Sequence, residues 1–101
     1  MKYVVIQNPE TKEEKIFPFP RFINHSDYYE LTKYIKIYKG REWERPFIEW
    51  EVVSAGFINV SSSEGLICEG YSETLGLKSR PVEDLFLLNN SWYHSVMDVN
   101  I

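Results

Sequence analysis

Along this chain the apolar and polar positions change period several times, and each change marks an element. Lys2 to Gln7 is short, β-branched and stopped by Asn8-Pro9, which predicts a strand. Residues 8–13 are polar turn material, and Glu14 to Phe19 returns as the second strand of an N-terminal hairpin. Pro18 and Pro20 remove ladder donors, so Phe17-Pro18-Phe19-Pro20 belongs on a sheet edge or leaving it. A helical period follows: Leu31, Tyr34, Ile35 and Tyr38 fall at i, i+3, i+4 and i+7, with Tyr28 one turn earlier. Ser26 or Asp27 caps the start, and Asp27 with Glu30 matches a capping box. Lys36 and Lys39 suit the negative end, and Gly40 stops the helix, which is predicted from about 27 to about 39.

Alternation returns from Phe47 to Val60, where Ile48, Trp50 and Val52 interleave with Glu49 and Glu51. From Val52 to Phe57 both sides become apolar or small, as in a strand entering the centre of a sheet. Gly56 is expected at a bulge or where another group comes close. Ser61 to Gly65 reads as a turn, Leu66 to Tyr71 as a fourth strand, and Ser72 to Arg80 as an ordered loop. Pro81 fits the first turn of a second helix, with Glu83 and Asp84 at its positive end and Val82, Leu85, Phe86 and Leu88 on its apolar side. Trp92, Val96 and Val99 allow a short docked helix, or a frayed or swapped tail. The order β-β-α-β-β-α predicts an α+β domain: a small antiparallel sheet of about four strands packed against one or two helices. Residues 1–90 form that domain, and 91–101 are a C-terminal extension, docked or flexible.

The 101 residues suit one domain that folds without metal or disulfide. Fifteen acidic residues against eleven basic ones, with no dense Lys/Arg run, disfavour direct nucleic-acid binding. The single cysteine, Cys68, excludes an internal disulfide and points to a reducing cytosol. The apolar start is too short for a signal peptide and no apolar run spans a bilayer, so a cytoplasmic protein without membrane contact is expected. Aromatic content of 16% suits interfaces as well as cores.

Catalytic signatures are thin. Gly70-Tyr71-Ser72-Glu73-Thr74 lacks the second glycine of a nucleophile elbow, and phosphate-cradling glycine motifs are missing. His25, His94 and Cys68 lack metal-ligand spacing, so no metal and no cofactor is expected. Cys68 could pair with His25 as nucleophile and base, but a small buried thiol in an apolar strand is the better reading. His25, just before a helix, is a capping or packing residue or lines a pocket. Glu42-Trp43-Glu44 and Glu49-Trp50-Glu51 repeat one pattern: either a carboxylate stripe for a basic protein surface, or a wet strand face whose tryptophans are core, which is favoured. Ser54, Gly56, Gly70, Ser72, Ser79 and Arg80 combine small polar groups, flexible backbone and a forked cation. That set could hold a phosphate or carboxylate at a helix start, or be turn chemistry with Arg80 paired to Glu83 or Asp84.

Phe17-Pro18, His25 before a helix, Ser54-Ala55-Gly56-Phe57, Gly70-Tyr71-Ser72 with Leu75, and Ser79-Arg80-Pro81 with Asp84 form a pattern. In these residues, over about 1–88, the chain resembles a family of small proteins encoded by phages and prophages. One departure is Val82, which stands between Pro81 and the acids Glu83 and Asp84 where the family runs directly from proline to acid. The resemblance implies a phage accessory protein, a class that often antagonises host defence, and adds weight to His25, Ser54, Ser72, Ser79 and Arg80 as one site.

The expectation from sequence is therefore a non-enzymatic binding protein, a small homo-oligomer in the host cytosol. It would sequester a small anionic, nucleotide-derived ligand through His25, Ser54, Gly56, Ser72, Ser79 and Arg80 gathered around one hollow. The alternative is an inhibitor that binds a host protein through Glu42, Trp43, Glu44, Glu49, Trp50 and Glu51. A small hydrolase using His25 with Ser72 or Cys68 stands third.

Overall fold

The computed structural model describes residues 1–32 and 49–90, together with the backbone of 38–39 and 42–43. Its elements are β1 (Lys2–Gln7), β2 (Glu14–Phe19), α1 (His25–Thr32), β3 (Tyr38–Lys39), β4 (Glu42–Trp43), β5 (Glu51–Ser61), β6 (Gly65–Glu69), β7 (Tyr71–Ser72), β8 (Leu77–Lys78) and α2 (Pro81–Asn90). The main sheet is antiparallel with strand order β2-β1-β5-β6, and the chain is α+β, as its periodicity predicts. No helix among the described residues is long and apolar enough to cross a membrane.

Central β1 explains the architecture. Tyr3, Val4, Val5 and Ile6 are all fully buried, which an alternating strand achieves only when both sheet faces are covered. On one face Tyr3, Val5, Ile16, Ile58 and Cys68 meet Leu85, Leu87 and Leu88 of α2. On the other, Val4, Phe19 and Ala55 meet Ile23, Tyr28, Leu75 and Leu77, supplied by the approach to α1, α1 itself and the β7–β8 hairpin. The Asn8 side chain accepts the amides of Glu10 and Thr11, shaping the β1–β2 turn.

Register slips once. Val5 faces Ser54 but Ile6 faces Val52, so Val53 is the extra residue of a bulge. The bulge lets Val53 join the α2-side cluster next to Ser54, which also faces α2, while Val52 turns to the opposite layer. Gly56, two residues on, is a point of close approach: a Cβ there would lie 2.6 Å from the Glu69 carbonyl oxygen and 3.0 Å from Ser79 Cβ. Only glycine lets the 79–80 segment cross the sheet on its way to α2.

Several boundaries differ from expectation. α1 begins at His25, and Tyr38, expected in its last turn, lies in the β3 strand. Leu31, expected on the buried stripe, is 77% exposed. The helix is held instead by Tyr28, stacked on Phe19 at 4.2 Å, and by Tyr29, whose hydroxyl donates to the Trp50 carbonyl at 2.7 Å. Tyr34, Ile35, Lys36 and Gly40 lie outside the described residues, as do Phe47, Ile48 and the tail from 91 onward. The third strand of the main sheet starts at Glu51, and the expected loop from 72 to 80 contains the β7–β8 hairpin. In α2 the inward residues are Asp84, Leu85, Leu87 and Leu88, whereas Val82 and Phe86 are 78% and 66% exposed.

Candidate functional site

The residues expected to surround one hollow are divided by the sheet. Ser54, Ser79 and Arg80 lie on the α2 side, in a network centred on Asp84. Its carboxylate is fully buried and accepts from the Tyr3 hydroxyl at 2.6 Å, the Ser54 hydroxyl at 2.9 Å, the Arg80 amide at 2.8 Å and Arg80 Nε at 3.1 Å. The Arg80 terminal nitrogens donate to both oxygens of Glu14, at 3.2 and 2.9 Å. Ser79, next to Arg80, packs against Gly56, where an added Cβ would meet its Cβ at 3.0 Å. This arrangement joins β1, β2 and β5 to the start of α2. An anion would have to displace a carboxylate already in place, so the turn-chemistry reading of Arg80 describes its surroundings, with Glu14 as an added partner.

Asp84 therefore does two things. It reaches back to the amide of Arg80, whose own carbonyl accepts the Asp84 amide at 2.8 Å, closing the first turn of the helix. It also supplies the negative charge that lets Arg80 pack beside the sheet. Burial, and then the Asp84 carboxylate, push the Tyr3 phenol far above its ordinary value. The same two causes raise the Cys68 thiol to about 11.

His25 lies on the opposite face. Its ring stands edge-on to Phe19 at 5.4 Å and to Phe57 at 5.6 Å. Nε2 meets the Gly56 carbonyl at 2.9 Å, and since a carbonyl only accepts, Nε2 carries the proton and Nδ1 is left as an acceptor. Burial holds the imidazole below its ordinary value of 6.5; the Gly56 carbonyl opposes this and the Lys2 ammonium adds to it. His25 is thus a neutral, oriented ring.

Beside that ring is a cleft of about 340 Å³ lined by Lys2, Asn24, His25, Phe57, Gly70, Tyr71, Glu73 and Thr74. Lys2 Nζ is steadied by donation to the Ile23 carbonyl at 3.0 Å. Thr74 Oγ1 accepts the amide of Ser26, linking the β7–β8 turn to the start of α1. Gly70, at φ +84°, makes the corner between β6 and β7. Its missing side chain leaves room beside Phe57, where a Cβ would come within 3.0 Å of the ring.

Ser72 is buried just beneath this turn, where its hydroxyl accepts the amide of Leu75 at 3.1 Å and lies 3.4 Å from Thr74 Oγ1. Among the described residues no hydrogen bond joins His25 to Ser72 or Cys68. Cys68 is buried on the α2 side of the sheet, away from that ring. Nor do the described residues contain a cluster of His, Cys, Asp and Glu able to hold a metal.

Of the acidic-aromatic repeat, Glu49 and Glu51 are exposed and Trp50 is fully buried, so the described part has the wet face and core tryptophan of the favoured reading. Glu44 and the side chains of Glu42 and Trp43 lie outside the described residues. Lys2, Asn24, Tyr71, Glu73 and Thr74 in the cleft, and Tyr3 and Glu14 in the network, are additions that sequence reasoning missed, whereas Asp84 is one of the two partners it offered for Arg80. The spacing of Arg80 and Asp84, one helical turn apart at a helix start, was a readable sign of their pairing.

Compared with models of known protein families, with curated proteins and with solved structures, the chain matches none of them.

Proposed function

We propose that this is a non-enzymatic phage accessory protein that captures a small anionic, nucleotide-sized ligand in the cleft beside His25. The reading is carried by the chemistry that converges on that cleft: the Lys2 cation, a neutral imidazole of set tautomer, a hydroxyl and two aromatic rings, with the Glu73 carboxylate as an acceptor for the ligand's hydroxyl or N–H groups. Lys2 spends one of three ammonium donors on Ile23 and keeps the others for a phosphate or carboxylate. His25 Nδ1 accepts from an N–H on a base edge, and Phe57 and Tyr71 offer apolar surface for a ring. A volume of about 340 Å³ falls at the small end of ligand pockets. The anion is thus assigned to Lys2, because Arg80 is engaged by Asp84 and Glu14.

The test is thermal unfolding across a panel of linear and cyclic nucleotides, with mass spectrometry of small molecules released from the purified protein. A ligand at a hundredfold excess over its Kd stabilises by about 2.7 kcal/mol, a rise of roughly 10–20 °C for a chain of this size. Lys2→Met should abolish the rise. Unchanged melting across the whole panel, with no small molecule released, contradicts the reading.

A further inference from the structure

We propose that the outer edge of β6, with the groove between β6 and α2, receives an extended, basic segment of another protein that joins the sheet as a fifth strand. Among the described residues the sheet ends at β6, and no backbone hydrogen bond leaves the outer side of Gly65–Glu69. A free edge of this kind pairs readily with another strand unless something blunts it. The opposite edge is blunted: β2 carries Lys15 and Pro18, and Pro20 follows it. The β6 sequence Gly-Leu-Ile-Cys-Glu has no proline and no lysine.

Beside this edge runs a groove of about 410 Å³, walled by Ile67 and Cys68 on one side and by Val82, Leu85 and Phe86 on the other. Val82 and Phe86, the apolar residues that α2 does not turn toward the core, line it, and Leu66 is 43% exposed on the same strand. An added strand sends alternate side chains to this side of the sheet, where the groove receives them.

Charge selects the occupant. Residues 61–70 and 81–90 contain Glu64, Glu69, Glu83 and Asp84 and not one Lys or Arg. Asp84 is neutralised internally by Arg80, while the other three carboxylates are exposed. A second copy of the chain would bring the same uncompensated carboxylates to the contact. A segment alternating apolar residues with Lys or Arg supplies both the missing strand and the missing charge.

Fluorescence anisotropy with a labelled Lys-Val-Lys-Ile-Lys-Val-Lys peptide tests this directly. Binding is expected, and should weaken about tenfold or more for Phe86→Ser, for the double change Glu64→Lys with Glu69→Lys, and for a peptide with proline in place of its isoleucine. All three changed protein positions are exposed, so the fold persists, as circular dichroism will report. The proposal is overturned by no binding at millimolar peptide. Equal binding of the proline peptide overturns it too, since attraction is then charge alone, as does binding indifferent to Phe86→Ser. Sedimentation showing a dimer that Phe86→Ser disperses would assign the edge to a second copy and also overturn it.

Discussion

Replacing Asp84 with alanine removes the acceptor that Tyr3, Ser54 and Arg80 share. The Tyr3 and Ser54 hydroxyls are fully buried, and each would be left without its partner, at about 1–3 kcal/mol apiece. Arg80 suffers less, because its side chain is 30% exposed and keeps both bonds to Glu14. Breaking a buried ion pair by deleting one member typically costs about 3–5 kcal/mol, which brackets the same figure. We expect a loss of about 4 kcal/mol from a domain whose whole stability is on the order of 5–15 kcal/mol. Melting should fall by roughly 15–30 °C.

Urea unfolding measures the loss, and a combined variant tests its cause. Once Asp84 is alanine, adding Tyr3→Phe and Ser54→Ala removes the two stranded hydroxyls, so these changes should cost far less than in the parent. A loss below about 1 kcal/mol for Asp84→Ala, or full additivity of the three changes, refutes the network as a coupled unit.

Gly56→Ala should destabilise by about 1–3 kcal/mol in urea, because its new methyl meets the Glu69 carbonyl oxygen at 2.6 Å and the Ser79 crossing at 3.0 Å. His25 has a depressed value when folded, so the unfolded chain binds the extra proton first, and stability should fall as pH drops below about 6.5. That acid limb should flatten in His25→Gln, as read by unfolding at pH 7.5 and 5.0. Cys68 shows the reverse sign: raised from 9.0 to about 11 on folding, it makes stability decline as pH climbs between those values. The native thiol should correspondingly react with a disulfide reagent at pH 8 much more slowly than in urea.

How much was legible from sequence follows from what each residue answers to. β1 and β2 were readable because short β-branched runs ending in Asn-Pro or alternating with proline have few other uses, and both carry the expected bounds. The start of α2 was readable from Pro81. Its orientation was not: Asp84 counts as polar, and the usual rule turns it to water, yet Arg80 and two buried hydroxyls make the inward position favourable. The helical stripe through Leu31 and Tyr38 misled because the chain reverses through β3 and β4, and reversal over a few residues leaves little trace in a period. The cleft was illegible for a different reason. Its lining comes from residue 2, residues 24–25, residue 57 and residues 70–74, which only the covered sheet brings together. The polar set expected to converge is split by that same sheet, with His25 on one side and Arg80 on the other.

The most direct examination of where this protein binds is an amide chemical-shift titration with whichever nucleotide raises its melting temperature most. Shifts concentrated at Lys2, Asn24, His25, Phe57 and Gly70 to Thr74 are the predicted result. Shifts centred on Ser54, Ser79 and Arg80 would place the ligand on the other face of the sheet and contradict it.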